Sequence, residues 1–546
     1  MTDYLDWSDA GWRRHLPGVG DVASFVAGLG GETIPALAAA AAAAVPDRVA
    51  VSVDGQAITH AELDAAAARV AGWLARRIRP GDRVLLAAGS SIGFVRCYLG
   101  ALRAGAVVLL ANPGYTAAEL GYLAAHSGAV LAFADRGPAD RLGEATGLPG
   151  ATGLPGATGL PGATGLGGGT GLPGLAAVSD PLPTVDVADL PDAEPAGDVV
   201  PRPQDTALLA YTSGTTGRPK GVPLSHGEVA VSIRAAMAAW RWQAGEVLVH
   251  ALPLYHQHGL GGLHAALIAG GTVHIRSKFS PDDLVRTVAD TRATAMFAVP
   301  TIYQALVDSA AAAQPALRGL RLAVCGSAPL SPALAVRLTE ALGRVPLIRY
   351  GTTESGLDVS NPLDDPRGDT VGVPLPGVLA RIQVADGGNG AAAPGADGEI
   401  QVCGPQVFAG YWRDPDATAA AFTPDGWFRT GDIGTVDQAT GHLTIRGRIK
   451  EMIITGGLNV YPREVEIVLE AHPSVAEAAV AGLPDDHWGE QVTAWVVPRD
   501  GCPFDEAALI AHARTQLASY KCPKRVFRLA ALPRNQLGKI VKSALR

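Results

Sequence analysis

The stretch that decides the fold is "YTSGTTGRPKGV", Tyr211 to Val222. It follows the apolar run "DTALLA" and precedes "LSHGEVAVSIRAAM", so it is predicted to be a glycine-rich turn that leaves a strand. Its side-chain donors, and the glycines that make its backbone pliable, are Thr212, Ser213, Gly214, Thr215, Thr216, Gly217 and Lys220. Backbone N–H groups in such a turn can converge on phosphate oxygens, so the stretch predicts a site for a polyanion.

Two common nucleotide motifs do not fit this stretch. It is not G-x-x-x-x-G-K-[ST], which excludes a P-loop NTPase, and it is not G-x-G-x-x-G, which excludes the dinucleotide fingerprint. The whole chain has a formal net charge of -8 and a pI near 5.9. This charge argues against a general nucleic-acid or anionic-membrane binder, so phosphate binding is expected to be local.

The segments before this stretch alternate between helix and strand. Thr59 and Glu62 form a capping box ahead of a helical pattern, and "RVLLAAG", "FVRCYLGALRAG" and "AVVLLANPG" predict strand, helix and strand. This alternation predicts an α/β fold with layered, largely parallel sheets. With 546 residues, 48% hydrophobic and 18% charged, the chain is expected to divide into two to four globular units.

A glycine-triplet repeat interrupts this alternation. From Gly147 to Gly174 glycine occupies every third position, in "ATGLPG" units, which matches the collagen triplet. We interpret residues 145–176 as a low-complexity surface loop inserted in the globular chain. The alternative is a trimeric structural or interaction protein held together by a triple helix.

The composition changes again near residue 449. From there "REVEIVLEAHPSVAEAAVAGLPD" and the following residues predict a small α+β unit. We therefore expect a large N-terminal domain, residues 1–448, and a small C-terminal domain, residues 449–546.

Nothing in the sequence indicates secretion or a membrane span. The five cysteines have no metal-ligand spacing and are expected to be reduced, and the N-terminus has no apolar signal region. The run "IPALAAAAAAAVP" is shorter than the roughly 20 residues of a membrane helix. A cytoplasmic protein is the expectation.

With its flanks, the opening stretch resembles the phosphate loop of the adenylate-forming enzymes, the superfamily of acyl-CoA synthetases, peptide-synthetase adenylation domains and firefly luciferase. The resemblance runs from about residue 35 to the C-terminus. Its further motifs follow in order: "GSAPL" from Gly326, "YGTTE" from Tyr350, "GWFRTGD" ending at Asp432, "GRIKEMIITGGLNVYPREVE" from Gly447, and "PRNQLGKIVKSALR". It implies a large adenylating domain, a small mobile domain, and activation of a carboxylic acid by ATP.

The resemblance also implies the nucleotide site. Glu354 matches the magnesium ligand, while Asp432 and Arg448 match contacts to the ribose hydroxyls. The segments expected around the adenine and the phosphates, besides the opening loop, are Gly326, Ser327, Ala328, Pro329, Tyr350, Gly351, Thr352 and Thr353. Tyr350 taken alone would also be compatible with core packing.

In the small domain the resemblance implies three roles. Lys539, which follows a glycine as Lys542 does not, matches the lysine that bridges the carboxylate and the α-phosphate during adenylation. Lys450 matches the hinge about which the small domain swings. Gly456 and Gly457 would then line a tunnel for a pantetheine arm, so coenzyme A, or a carrier protein, is the expected acceptor.

The acyl pocket is expected around His256, Thr301, Ala305, Ser355, Leu357 and Asp358. His256 matches a histidine beside the substrate carboxylate, whereas His258 is interpreted as structural. Within the superfamily, "LPLYHQHGL", "RSKFS" and "VPTIYQAL" most resemble malonyl-CoA synthetases, but Ala305 stands where those enzymes commonly carry an arginine.

Two departures disfavour malonate. No arginine at position 305 pairs its second carboxylate, and Asp358 would repel it. Arg276 or Lys278 might replace the missing cation, but both are interpreted as strand-end residues. The expected substrate is therefore a large, apolar monocarboxylic acid. The alanine-rich composition is typical of a high-GC bacterium and is compatible with a role in natural product biosynthesis.

Two alternatives to this acyl-CoA ligase stay open. One is a malonyl- or methylmalonyl-CoA synthetase. The other is an enzyme that only adenylates and hands the acyl-AMP to a carrier protein or partner ligase.

Overall fold

The computed structural model describes residues 2–146, 182–190, 193–195, 200–212, 219–384, 395–485, 488–535 and 539–545. The predicted triplet repeat, from Gly147 to Gly174, lies outside these residues. So do Ser213 to Gly217 of the opening loop.

Helices occur throughout both parts of the chain. Within the described residues the α-helices, labelled α1 to α15 in chain order, are Thr2–His15, Val22–Ala27, Ile34–Ala44, His60–Ala75, Ile92–Arg103, Ala117–Ser127, Arg136–Thr146, His226–Ala239, Gln257–Ile268, Pro281–Thr291, Pro300–Asp308, Pro332–Leu342, Pro415–Ala421, Pro462–Glu470 and Glu506–Gln516.

Most strands are short. In the described residues the strands, labelled β1 to β24 in chain order, are Val49–Val53, Gln56–Thr59, Arg83–Ala87, Val107–Leu110, Ala129–Ala134, Thr184–Asp186, Thr206–Thr212, Lys220–Ser225, Val247–His250, Thr272–Ile275, Ala295–Ala298, Leu322–Cys325, Leu347–Tyr350, Val359–Ser360, Val373–Pro374, Leu379–Gln383, Gly398–Cys403, Phe428–Val436, Leu443–Arg448, Ile453–Thr455, Leu458–Val460, Val475–Asp485, Gly489–Pro498 and Arg525–Arg528.

Local sequence explains where several helices begin. The predicted capping box at the start of α4 is confirmed, because the Glu62 N–H donates to the Thr59 hydroxyl at 3.2 Å and the Thr59 N–H donates to the Glu62 carboxylate at 2.9 Å. Thr116 with Glu119 and Ser225 with Glu228 start α6 and α8 in the same way.

Two large sheets form the body of the molecule. One has nine strands in the order β15-β14-β13-β12-β11-β9-β10-β1-β2, and the other has six in the order β6-β5-β3-β4-β7-β8. Their central strands pair in parallel, as the alternating pattern predicts, while antiparallel strands lie at the edges. A shared apolar core links the two sheets to the helices between them, including α4, α5 and α9.

Two smaller sheets complete the fold. Strands β16 to β19 form a four-stranded antiparallel sheet that ends at Arg448. Strands β20 to β24 form a five-stranded sheet that packs with α14 and α15 around its own core, which begins at Ile453. A 3-10 turn at Ile449–Glu451 connects the two sheets. The mixed α/β class, with a large first part and a small α+β second part, is confirmed.

The structure also describes the state of the cysteines and the length of the apolar helices. Cys97, Cys325, Cys403, Cys502 and Cys522 are all free thiols. Among the helices that the structure describes, none has the length and apolarity that crossing a bilayer requires.

Candidate active site

The opening loop connects two paired strands at the edge of the six-stranded sheet. Strand β7 ends at Thr212 and β8 begins at Lys220, and these two residues are directly opposite each other in the antiparallel ladder. The Lys220 ammonium lies 4.7 Å from the centre of the Tyr411 ring. The ends of the predicted phosphate loop are therefore fixed side by side.

Glu354 lies beside these loop ends. Its Oε1 atom accepts hydrogen bonds from the Tyr411 hydroxyl at 3.0 Å and, more weakly, from the Thr212 hydroxyl at 3.4 Å. In the described part of the chain, no three metal-ligating side chains cluster together. A single carboxylate next to a phosphate loop suits Mg²⁺, which usually takes one or two protein carboxylates and oxygens from the substrate.

A second group of predicted residues meets at the ends of β13 and β19 and the middle of β18. Asp432 is almost completely buried, and its two oxygens accept from the Arg448 guanidinium and the Tyr350 hydroxyl, each at 2.8 Å. Burial raises the pKa of Asp432, while the Arg448 charge opposes that shift. Each oxygen keeps a further lone pair, so a pair of ribose hydroxyls can still be bound.

Lys539 is brought to this group from the end of the chain. A short hairpin holds it, in which the Lys539 N–H donates to the Asn535 side chain and the Asn535 N–H donates to the Lys539 carbonyl, both at 2.9 Å. Partial desolvation and the neighbouring Arg448 lower the pKa of Lys539, whereas the Glu451 and Asp432 carboxylates raise it. The Lys539 side chain is exposed, and it lies close enough to Asp432 and Arg448 for their charges to act on its ammonium.

Lys542, the other lysine of the tail, lies in a different environment. Its ammonium pairs with Glu466 at 2.7 Å and with Glu451 at 3.4 Å. It therefore ties the tail to α14 and to the 3-10 turn, which leaves Lys539 as the tail lysine facing Asp432.

The segment Gly326 to Pro329 follows β12 and requires unusual backbone geometry. Ser327 has φ of +70°, in the left-handed region that few residues other than glycine adopt, and its hydroxyl lies 3.2 Å from His258 Nδ1. A side chain at Gly351 would meet the Gly356 carbonyl oxygen at 2.0 Å. Ser327 therefore adopts a left-handed backbone, and the close approach of Gly356 leaves no room for a side chain at Gly351.

Beside this cleft lies a cavity with mostly apolar walls. It contains about 670 Å³ of space between atoms, counting the part open to solvent. Its walls include Leu208, Leu224, Glu228, Val229, Ser232, Ile233, Trp240, Gln257, His258, Leu260, His264, Phe297, Arg349, Leu357 and Gln406. A concave, mostly apolar lining with a few polar side chains is typical of a site for a small organic molecule.

The predicted acyl residues are distributed around this cavity rather than all on its walls. Leu357 is on the wall, and His256 is the residue before α9, next to the wall residues Gln257 and His258. Thr301 and Ala305 are half-buried on α11, and Ser355 is buried. The sequence analysis interpreted His258 as structural. Its place on the cavity wall also allows it to contact a substrate.

Asp358 does not present a free carboxylate. It is fully buried, and accepts hydrogen bonds from the Ser355 hydroxyl at 2.5 Å and the Gln406 amide at 3.2 Å. Burial is the largest influence and raises the pKa of Asp358 to about 7. Both carboxylate oxygens thus already have protein partners, and the place of Asp358 in the acyl pocket stays a prediction.

Three residues of the site were missed by the sequence analysis. Tyr411 contacts Glu354, Gln257 donates from the cavity wall to the Thr353 carbonyl at 3.1 Å, and Arg349 is on the wall itself. Arg349 directly precedes the "YGTTE" motif, so strand alternation would have placed it opposite Tyr350. Arg276, considered as a substitute cation, is instead paired with Asp283 at 2.5 Å.

The small domain carries the predicted hinge and tunnel residues. Lys450 is in the middle of the 3-10 turn that joins the two parts of the chain. Gly456 and Gly457 have φ of +57° and +77° in the turn between β20 and β21. A side chain at Gly456 would meet the Trp488 ring at 2.9 Å, whereas one at Gly457 would meet nothing within 4 Å.

Comparison with known proteins identifies the family. A family model described as "AMP-binding enzyme" matches residues 38–412, and one described as "AMP-binding enzyme C-terminal domain" matches residues 464–539. The chain therefore belongs to the AMP-binding enzymes. Within this adenylate-forming superfamily it belongs to the acyl-CoA synthetase branch, which its motifs resemble.

Individual relatives cover much of the chain. A feruloyl-CoA synthase from Amycolatopsis is 35% identical over 508 residues, which are 92% of this chain and 96% of the relative. The mitochondrial malonate–CoA ligase ACSF3 of Mus musculus is 38% identical over 373 residues, 62% of this chain and 64% of that protein. The crystal structure of ATP-bound MatB from Rhodopseudomonas palustris superposes with a TM-score of 0.83, at 35% identity, over 94% of this chain and 98% of that one.

Proposed function

We propose that the chain is an AMP-forming acid–thiol ligase that joins an organic acid to ATP and then transfers the acyl group to coenzyme A. In the first step the acid's carboxylate attacks the α-phosphorus of ATP, and pyrophosphate leaves. In the second step the thiol of coenzyme A attacks the acyl carbonyl carbon, and AMP leaves. Family membership, the CoA-ligase relatives and the ATP-bound neighbour support this reaction.

The observation that carries the proposal is that Lys539, Asp432 and Arg448 lie close together. Glu354 lies beside the ends of the phosphate loop and forms the other group of the site. Joining two anions requires cationic groups that offset their repulsion as the new bond forms. Lys539 supplies a positive charge where the carboxylate meets the α-phosphate, and Lys220 supplies one at the phosphate loop. Mg²⁺, when held by Glu354, would neutralise further phosphate charge.

The other residues orient the substrates. Asp432 and Arg448 hold the ribose, Gly326 to Pro329 and Tyr350 surround the adenine, and the apolar cavity holds the body of the acid. His256 lies beside the reacting carboxylate in neutral form, because burial and the charge of Arg349 lower its pKa to about 4. A neutral imidazole can donate a hydrogen bond there without adding a fixed charge.

The apolar walls support an acid larger than malonate. An apolar acid could pack against Leu224, Ile233, Leu260, Phe297 and Leu357, and this lining supports the apolar acid expected from the sequence. The number of carboxylates on that acid is a separate question, because Arg349 also lies on the wall.

The reaction is tested by magnesium-dependent exchange of labelled pyrophosphate into ATP across a panel of acids, followed by assay of thioester with coenzyme A. We expect exchange with at least one acid, and thioester from the same acid. Exchange without thioester would support the adenylation-only alternative, in which a carrier protein or partner ligase takes the acyl group. Absence of exchange with every acid, in the presence of magnesium, would overturn the proposal.

A further inference from the structure

One helix reaches both ends of the phosphate loop, because Tyr122 and His126 lie one turn apart on the same face of α6. The Tyr122 hydroxyl donates to the Pro219 carbonyl at 3.1 Å. His126 Nδ1 is hydrogen-bonded to the Tyr211 hydroxyl at 2.7 Å. Pro219 directly precedes the first residue of β8, and Tyr211 directly precedes the last residue of β7. Each side chain therefore binds one of the two strands where the loop begins or ends.

The two side chains of α6 pack with Tyr211 as one group, which we call the ring cluster (Tyr122, His126 and Tyr211). The rings of Tyr122 and His126 are stacked, with centres 5.3 Å apart and planes at 19°. The Tyr211 ring meets both of them edge-on, at 6.4 Å and 5.7 Å between centres. Edge-to-face contacts and a hydrogen bond within one small group leave few alternative arrangements, so the cluster restrains Tyr211.

The ring cluster lies where the pairing of β7 with β8 stops. The last pair of this ladder that the structure describes is Thr212 with Lys220. Pro219, the residue before Lys220, has no N–H with which to continue a ladder, and its carbonyl is bound by Tyr122. Side chains of α6 thus supply contacts at the point where the described ladder ends.

The cluster is also joined to the proposed magnesium ligand. The Arg413 guanidinium donates to the His126 carbonyl at 3.2 Å. The Trp412 N–H donates to the carbonyl of Gly221, in β8, at 2.8 Å, and an added Cβ at Gly221 would come within 2.9 Å of the Trp412 Cβ atom. The adjacent Tyr411 donates to the carboxylate of the proposed magnesium ligand. The loop ends, α6 and this carboxylate therefore form one connected set.

The bond between His126 and Tyr211 joins two neutral groups. Burial and the charge of Arg413 lower the pKa of His126, and Asp414 opposes this shift only in part. Burial raises the pKa of the Tyr211 hydroxyl. Above pH 7 neither group carries a charge, so the cluster acts on the loop ends through geometry rather than through a charge of its own.

We propose that Tyr122 and His126 are positioning residues that hold the two ends of the phosphate loop at the spacing its donors need to meet the triphosphate of ATP. This inference rests on the proposed function. Donors that offset phosphate charge are most effective when they are already in place. A misplacement of about 1 Å, even by a change far from the reacting atoms, can cost about 100-fold in rate. Tyr122 and His126 act through Pro219 and Tyr211 rather than by touching ATP.

Support of the core alone would have a different signature from positioning of the loop. If the ring cluster only supported the core, its loss would weaken the binding of every ligand alike. If it positions the loop, its loss should weaken ATP far more than AMP, which lacks the two terminal phosphates. The proposed ribose contacts, Asp432 and Arg448, would serve both nucleotides equally.

The test uses the full-length protein and small changes. His126→Leu removes the ring nitrogen, His126→Asn returns a hydrogen-bonding atom to the same distance along the side chain, Tyr122→Phe removes one hydroxyl, and Tyr211→Phe removes the partner of His126. Glu119→Ala is the matched control. It removes the capping carboxylate of the same helix, which accepts from the Thr116 N–H at 2.7 Å, and it leaves both contacts to the loop ends.

Two nucleotides are compared in each variant. Calorimetry gives the dissociation constants of magnesium–ATP and of AMP, and pyrophosphate exchange with the most active acid gives kcat/KM for ATP. We expect His126→Leu to lower kcat/KM for ATP by about 10- to 100-fold, because the loop donors are displaced. Tyr122→Phe should lower it by about 2- to 10-fold, the effect of one hydrogen bond. The affinity for ATP should fall as well and that for AMP should not, while His126→Asn recovers most of the loss and Glu119→Ala shows none.

A double variant, His126→Leu with Tyr211→Phe, shows whether one hydrogen bond carries the effect. It should lose no more than the more impaired single variant, because both changes remove the same contact. Losses that add in full would mean that the two residues act independently, and they would overturn the role proposed for His126.

Other results overturn the inference and leave the proposed function standing. One is an unchanged kcat/KM for ATP in His126→Leu and Tyr122→Phe. Another is an equal loss of affinity for ATP and AMP, which would indicate a general disturbance of the fold. If His126→Leu does not fold, Tyr122→Phe and Tyr211→Phe, which each remove a single hydroxyl, decide. If no acid supports exchange in the unaltered protein, the proposed function fails, while the ATP and AMP titrations still decide whether α6 positions the loop.

Discussion

Lys539 shows how one residue acquires a role from its neighbours. Partial desolvation and the charge of Arg448 lower the pKa of its ammonium, whereas the Glu451 and Asp432 carboxylates raise it. Lys542, three residues later, is held by Glu466 and Glu451 instead. The two lysines have the same chemistry, and only their surroundings distinguish a group that can meet substrate from one that fixes the tail.

We expect Lys539→Ala to lower the rate of adenylation by about 100- to 1,000-fold, because a positioned donor to developing charge typically contributes that much. Thioester formation from supplied acyl-AMP should be nearly unchanged, since the role proposed for Lys539 belongs to the adenylation step alone. Rapid-quench assays of the two half-reactions measure this. An equal loss in both would contradict the division of labour.

Asp358 gives a prediction about stability and pH. Burial raises its pKa from 3.8 to about 7, so between these values the folded protein binds more protons at this site than the unfolded chain does. The stability that this group contributes is therefore present below about pH 4 and is lost as the pH rises through about 7.

Asp358→Asn removes this titration. Relative to the unaltered protein, we expect the free energy of unfolding of the variant to increase between about pH 4 and pH 7, by up to about 4 kcal/mol. Denaturant unfolding of both proteins at a series of pH values measures the difference. A difference that does not change with pH would show that Asp358 titrates normally in the folded state.

At the scale of elements, the 3-10 turn Ile449–Glu451 is the connection on which domain rotation would depend. It joins the end of β19, where Arg448 contacts Asp432, to β20, where the core of the small domain begins. An element-terminal position of this kind can absorb a large dihedral change. Lys450 is its central residue.

Lys450→Pro fixes φ near −65° at this position, so we expect it to hinder rotation. Adenylation should be largely retained, while the rate of thioester formation should fall at least about tenfold if rotation becomes rate-limiting. Lys450→Ala, which leaves the backbone free, is the control and should preserve both steps. An effect of Lys450→Pro on ATP affinity alone would argue against the hinge role.

At the scale of the whole molecule, the glycine-triplet insertion interrupts a continuous core. Leu142, on α7, and Leu182, where the described chain resumes, belong to the same buried cluster beside the six-stranded sheet. The flanks of the insertion are therefore held by the fold itself, and the cost of closing a loop changes only slowly with its length.

Deletion of residues 147–174 leaves residues 175–181 to join these flanks. We expect adenylation within about twofold of the unaltered rate, because the free-energy cost of closing a loop changes little over a wide range of lengths. Sedimentation should give the same number of subunits before and after the deletion. A trimer that dissociates on deletion would instead support the collagen-like interpretation.

The sequence by itself determined the family and the fold class, and it predicted the residues of the nucleotide site. These are carried by contiguous motifs, and local signals such as the Thr59–Glu62 capping box operate over a few residues, so they can be recognised without knowing what packs against them. Lys539, Glu354 and Asp432 were all found in this way, although their proposed roles await the experiments above.

Only the tertiary structure decided the electrostatics of the acyl cavity. Whether Asp358 is free to face a ligand depends on side chains brought together from distant parts of the chain, such as Gln406. A charge in water is nearly independent of its neighbours, whereas a buried charge is governed by them, because the surrounding dielectric is low. Sequence patterns record which residues are present, and packing determines which of them are left without a partner.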